Sequence, residues 1–247
     1  MNIQRGAITR LMKVDHSKDC IFCKDLKERT LSYWVSTINN TIIDKVIDTN
    51  NVIVYESEHF CVIPDIAPLA IGHVLIVSKD HIISMTELSA ALAMELKEVV
   101  NIVDTIISCN GQTNIIHFEH GPGKNKSQSL KSVDHFHLHC VPLNIDLPTL
   151  MKGYERFAYK KIAEYEDLVG LDIEDYIFCE SFGEKYIYLL ERQVIKSQLL
   201  RKVIFQSNKQ NLRDIYIHNY DWKQDFSLMA YKKSKQFLDE AFEGNRK

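Results

Sequence analysis

The 247-residue chain is 45% hydrophobic and 26% charged, the composition of a soluble globular protein. Its length suits one large domain, or a domain of about 150 residues with an appendage. A net charge of −3 argues against general nucleic-acid binding, and the longest apolar run, Cys61 to Val77, is interrupted by Asp65, two prolines and His73, which excludes a membrane span there.

Residues 1 to 17 carry no pattern and read as a loose arm; Met1 to Lys13 lack the apolar core of an export signal. The six cysteines are therefore expected as thiols or metal ligands in a reducing, cytoplasmic setting. Cys20-Ile21-Phe22-Cys23 places two thiolates where one tetrahedral ion can use both, but alone it is half a site, and two buried structural cysteines are the simpler alternative. Residues 24 to 50 are polar and give no clear element.

From Asn51 the chain reads as strands: Val52 to Tyr55, then Phe60 to Pro64, with Glu56 to His59 as the turn and Asp65 to Pro68 as a loop, then Gly72 to Val77. Ser84 to Asn110 reads as a helix. Ser84 with Glu87 makes a capping box, Leu88, Leu92, Leu96, Val99, Val103 and Ile106 share one face, and Asn110-Gly111 supplies the stop. Thr113 to Phe118 is a further strand. The loop Glu119 to Lys126, with glycines and lysines, suits either phosphate binding through backbone N–H groups or a plain connector.

Next comes His135-Phe136-His137-Leu138-His139-Cys140-Val141, closed by Pro142. Period two puts three of the chain's ten histidines on one face of a strand and Phe136, Leu138 and Cys140 on the other, toward a core. A surface strand or a purely metal-binding strand are the simpler readings; a row of imidazoles can also supply bases, nucleophiles and ligands. Strands then helix then strands over residues 51 to 141 predict an α+β fold with an antiparallel sheet of about five strands backed by packed helices. Residues 151 to 247 change character. Tyr176 to Cys179 and Tyr186 to Leu190 flank a hairpin turn at Ser181 to Glu184, Ser197 to Ile204 starts a helix, and Tyr231 to Phe242 forms the last. The expected division is 1–150 with a mixed α/β extension at 151–247.

The segment His135 to Val141 fits His-φ-His-φ-His-φ-φ, with φ apolar, and so resembles the signature of the histidine triad (HIT) superfamily of nucleotidyl hydrolases and transferases. Gly72-His73-Val74-Leu75 followed by Ser78-Lys79-Asp80-His81 is close to the same family's pattern. The likeness covers roughly residues 18 to 145; the remainder resembles, faintly, the extension of longer bacterial members through Ser197-Gln198-Leu199-Leu200-Arg201 and Asp221-Trp222-Lys223. The resemblance implies an enzyme acting at an α-phosphate of a nucleotide, dinucleoside polyphosphate or nucleotide sugar. His137 would become nucleotidylated, with His139 and Ser132 assisting. Asp65 and Ile66 would meet ribose and base. His73, His120, Gly121 and Lys131 would complete the nucleotide site, His120 replacing the Asn of a Phe-Glu-Asn segment and Lys131 standing where hydrolase branches have Gln. The resemblance also implies a structural zinc on Cys20, Cys23, His81 and His135, and a homodimer. The alternatives are a non-catalytic nucleotide sensor and a zinc-stabilised interaction scaffold.

Overall fold

The computed structural model describes residues 19–37, 50, 52–108, 114–122, 134–154, 157–190, 198–221 and 226–244. The expected arm at 1–17 lies outside them, as do Lys131, Ser132 and most of the loop before the triad.

Eight strands form one sheet: β1 (Tyr55–Glu56), β2 (Phe60–Pro64), β3 (Val74–Ser78), β4 (Ile116–Gly121), β5 (His137–Val141), β6 (Ala158–Ile162), β7 (Tyr176–Ser181) and β8 (Glu184–Leu189). Their order is β1-β2-β3-β5-β4-β7-β8-β6, and every neighbouring pair is antiparallel. The α+β class is as expected, but the sheet has eight strands rather than about five. The reason is that β7 pairs along β4, from His117↔Glu180 to Gly121↔Tyr176, so the C-terminal strands extend the sheet that holds the triad. Phe182 and Gly183 join β7 to β8 with φ of 50° and 75°; two successive positive values are what a two-residue hairpin turn needs.

One face of the sheet is covered by α3 (Ala90–Ile107). Leu96, Val99, Val103 and Ile106 pack there against Val62, Ile76, Leu138 and Phe178. The helix begins later than its sequence suggests. Ser84 is no cap: its hydroxyl meets Thr86 Oγ1 at 3.0 Å, a 3-10 turn follows over Met85–Glu87, and Leu88 is extended with ψ 152°. Ser89 is the cap, its side chain accepting from Leu92 N at 3.2 Å. Glu87 instead accepts the amide of Ile83 at 3.2 Å.

The other face carries two groups of helices. Over β2 and β3 sit α1 (Ile21–Glu28) and α2 (Ser32–Val35), with Phe22, Leu31 and Trp34 packed on Cys61, Ile63, Leu75 and Val77. The Asp25 carboxylate joins the two helices by accepting the amides of Tyr33 and Trp34 at 2.9 and 3.0 Å. Over β4, β7 and β8 sit α4 (Leu147–Tyr154), α5 (Leu199–Ser207) and α6 (Lys209–Asp214). The last helix, α7 (Leu228–Gly244), contributes Tyr231 to the first group and Leu238 and Phe242 to the α3 side, passing the Gly72 turn on the way. Gly72 has φ +92° and donates its N–H to Ser234 Oγ at 3.1 Å; a Cβ there would meet the Phe237 ring at 2.8 Å. The extension is thus packed directly against the loop that precedes β3. No helix among the described residues is long and apolar enough to cross a membrane.

Candidate functional site

Strand β5 presents Leu138 and Cys140 to the α3 core and His137 and His139 to the opposite face, as the alternation requires. His135 precedes the strand and points the same way. Each imidazole then acquires its own hydrogen-bond partners, and those partners dictate which nitrogen carries the proton.

His135 Nε2 lies 2.7 Å from the carbonyl of Ser78, which can only accept, so Nε2 carries the hydrogen and Nδ1 has the lone pair. That lone pair faces two thiols: Cys20 Sγ at 3.3 Å and Cys23 Sγ at 3.4 Å. Cys23 Sγ is also 3.3 Å from His81 Nδ1. The four donor atoms all lie within 4.8 Å of one another, and the chain brings them from the start of α1, the end of β3 and the start of β5. A tetrahedral zinc with bonds of about 2.0 to 2.3 Å needs donors at such separations, and two sulfurs with two imidazoles close its coordination. The outer hydrogen bond from His135 to Ser78 is the usual support for such a ligand. Burial pushes His135 down to about 4, so it is held neutral, as a ligand must be. The residues present fit zinc, and the cluster is of the closed, structural kind.

His137 Nδ1 lies 2.7 Å from the carbonyl of His135 in its own strand. Nδ1 is therefore protonated and Nε2 keeps its lone pair. Burial holds the group below its ordinary value, which favours the unprotonated form. The Phe22 ring of α1 packs beside it, centroids 5.4 Å apart.

His139 is fixed by a relay. The amide of Leu69 donates to His73 Nδ1 at 3.0 Å, so the His73 hydrogen is on Nε2, which sits 3.0 Å from His139 Nδ1. His139 accepts there and carries its own hydrogen on Nε2. Its ring stacks on Phe118 of β4, centroids 4.3 Å apart and 13° from parallel. Asp65 Oδ2 is 3.5 Å from both His73 Nε2 and His139 Nδ1, and Asp65 Oδ1 accepts the amide of Ala67 at 2.6 Å. Burial first, and then neighbouring positive charge, holds His73 and His139 well below their ordinary values.

His120, on the same face of β4 as Phe118, is pushed down to about 4 by burial and by the proximity of His137, and its buried Nε2 has no hydrogen-bond partner among the described residues. Gly121 has a packing role: a Cβ there would fall 2.2 Å from the Tyr176 ring, which fills the space on the α3 side. Asp65 and Ile66 are both buried, the first against the two histidines and the second in the cluster beneath α1 and α2. The structure thus brings together Cys20, Cys23, His81 and His135 as one cluster, and Asp65, His73, His137 and His139 as another, with His120 beside His137. Reasoning from sequence did not single out the Ser78 carbonyl, the Leu69 amide, or the Phe22 and Phe118 rings. Ser78, Phe22 and Phe118 all stand in segments singled out for other reasons, the Ser-Lys-Asp-His run, the Cys-x2-Cys pair and the strand Thr113 to Phe118.

Residues 34–154 match the family model described as "Scavenger mRNA decapping enzyme C-term binding", which is HIT-like. With the triad strand inside that match, the conclusion is direct. Residues 34–154 form a histidine triad-like domain. No curated protein matches the chain. Among solved structures it is similar to a HIT family hydrolase from Clostridium thermocellum, 23% identical over 52% of this chain and 95% of that one, with a TM-score of 0.35. It is similar also to a zinc-bound histidine triad family protein from Mycobacterium smegmatis, 20% identical over 78% and 99% of the two chains, with a TM-score of 0.35. The yeast Ap4A phosphorylase Apa2, in complex with AMP, is 12% identical over 57% of this chain and 61% of that one, with a TM-score of 0.37. At these identities and scores the likenesses carry no argument about activity, which rests on the chain's own residues.

Proposed function

We propose that this histidine triad protein is a nucleotidyl hydrolase or transferase that works through a nucleotidylated His137. The observation that carries the reading is the lock on His137: its Nδ1–H is held at 2.7 Å by a main-chain carbonyl of its own strand, leaving a neutral imidazole with its Nε2 lone pair free for attack. In the proposed step, Nε2 bonds to the α-phosphorus as the bond to the leaving oxygen breaks, and the electron pair departs with that oxygen. His139, with its hydrogen on Nε2, donates to phosphate oxygens, and His120 Nε2 offers a further polar contact. Water, phosphate or a sugar phosphate then takes the nucleotidyl group from His137, releasing its nitrogen. Ser132 and Lys131, proposed for the leaving-group side, lie outside the described residues.

A zinc ion on Cys20, Cys23, His81 and His135 is part of the same proposal. When bound, it supplies structural closure, tying α1 to the ends of β3 and β5. Metal analysis of protein purified without added zinc should give about one equivalent per chain, and Cys20→Ser should lower the melting temperature far more than activity in the cold. Metal-free protein of undiminished stability would end the zinc proposal.

Incubation with α-labelled ATP or diadenosine polyphosphate should leave acid-labile, base-stable label on the protein, mapping to His137. Tight nucleotide binding without label or turnover would favour the sensor reading instead.

A further inference from the structure

Helix α5 of the extension brings a charge to the histidine face that the mechanism above does not use. Leu200, Val203 and Ile204 pack in one cluster with Phe118, Val141 and Leu69, so α5 lies over the strand whose phenylalanine stacks on His139 and over the loop that follows Asp65. Arg201, on the same helix, is only 8% exposed. Its Nε donates to the carbonyl of Tyr220 at 3.2 Å, and no carboxylate of the described residues is within ion-pairing distance of its guanidinium. The nearest acid in sequence to that carbonyl, Asp221, accepts from Gln198 Nε2 at 2.8 Å.

A guanidinium has five N–H donors, and burying its charge without a paired anion is costly. Burial accordingly holds Arg201 below its ordinary value, while Asp65 and Asp221 act the other way. Helix α5 packs on Phe118, whose ring stacks on His139, and the positive charge of Arg201 is among the groups that depress His73 and His139. That cluster has three donor atoms with separations of 3.0, 3.5 and 3.5 Å, a set that could otherwise hold a cation. A buried guanidinium alongside opposes a cation and favours an anion. Arginine is also the side chain whose fork matches phosphate oxygens two at a time.

Resting on the nucleotidyl-transfer reading, we propose that Arg201 is a substrate-binding residue through which the extension holds a phosphate group beyond the α-phosphate at His137. The site would then take nucleotides with a phosphate chain in preference to nucleoside monophosphates. The extension, on this view, completes the active site.

The test is calorimetric titration of the full chain with inorganic pyrophosphate, AMP and ATP, the last in the His137→Ala background so that it is not consumed. Arg201→Gln should weaken pyrophosphate and ATP by about tenfold or more, the loss of one charge-assisted pair, and AMP by less than about threefold. Arg201→Lys, which keeps the charge and loses the fork, should fall between. Without ligand, Arg201→Gln should melt no lower than wild type, because it removes a buried charge with no direct counter-ion. Unchanged pyrophosphate and ATP affinity in Arg201→Gln overturns the inference, as does wild-type protein that binds neither. A lower melting temperature with intact binding overturns it as well, making Arg201 a structural counter-charge to Asp65 and Asp221. Should Arg201→Gln fail to fold, Arg201→Lys decides alone: a pyrophosphate affinity equal to wild type sinks the proposal. Labelling of His137 is scored separately. Label with no Arg201 effect overturns only this inference, and an Arg201-dependent pyrophosphate site with no label overturns only the nucleotidyl intermediate.

Discussion

Strands β4 and β5 carry buried polar side chains on both faces, and the two faces treat them in opposite ways. On the α3 side, His117 Nε2 meets Asp104 Oδ1 at 2.9 Å, and its Nδ1 lies 3.4 Å from Glu180 Oε2, at ion-pair distance though off hydrogen-bond geometry. Glu180 is also bound by Lys185 at 3.0 Å and by the Tyr165 hydroxyl at 2.7 Å. Burial alone would lower His117, but Asp104 and its other partners raise it well above its ordinary value; burial alone would raise Glu180, but His117, Lys185 and Tyr165 bring it to about 2. Glu119, on the same side, accepts from Met85 N at 3.0 Å and from the Tyr176 hydroxyl at 2.5 Å. Every one of these groups has protein partners. On the triad side burial favours neutral imidazoles, each keeps one nitrogen uncommitted to the backbone, and His120 Nε2 has no hydrogen-bond partner among the described residues. A buried polar group that is fully paired holds the fold together; one left under-paired is where a ligand belongs.

The sharpest way to break this contrast is to delete one histidine from each face. His137→Ala removes the covalent route, so kcat should fall by about 10⁴-fold or more with substrate still bound, whereas His139→Ala should cost about 10²–10³-fold, the loss of a charge-stabilising donor. Steady-state kinetics with a binding assay on both variants checks the order; near wild-type turnover by His137→Ala would remove the covalent mechanism.

His117→Ala should do the reverse. It leaves Asp104 without its imidazolium partner and Glu180 with Lys185 as its remaining cation, and equilibrium denaturation should show a loss of about 1–3 kcal/mol. The fraction that remains folded in the cold should retain its kcat, because His117 faces away from the triad. A large fall in kcat of fully folded protein would mean that the two faces are not separable.

The smallest effect is one of pH. Burial pushes Glu119 up to about 8 from an ordinary 4.5. Between those values the unfolded chain has released the proton that the folded chain keeps, so this group's stabilising contribution, present in full below 4.5, is lost as pH rises toward 8. Glu119→Gln should gain stability relative to wild type over that window by up to about 1.4 kcal/mol per pH unit, the one-proton limit. Parallel stability curves for the two proteins in urea at pH 5 and pH 8 would show instead that Glu119 is ionised in the fold.

Much of the triad domain was legible along the chain because its signals are local. Alternation over His135 to Val141 is a property of strand geometry, so it assigned the faces before any partner was known. The Phe60 to Pro64 strand, the apolar stripe of α3 and the Phe182-Gly183 turn are of the same kind. The start of α3 was misjudged because Ser84 and Ser89 both offer a capping hydroxyl, and only the extended backbone at Leu88 chooses between them. The place of β7 in the sheet was not legible in the same way. Nothing in the local pattern of Tyr176 to Ser181 says which edge it will join, since backbone pairing across a sheet is a long-range event with little residue code.

The sequence by itself determined the fold class, the triad face, and which histidines and cysteines are available there. Tertiary structure alone decided which nitrogen of each histidine bears its proton, because that depends on carbonyls and amides brought in from Ser78, His135 and Leu69. It also decided that α5, which carries Arg201 64 positions after His137 in the chain, packs on Phe118 of β4, because no local pattern in the extension says which strand it will cover.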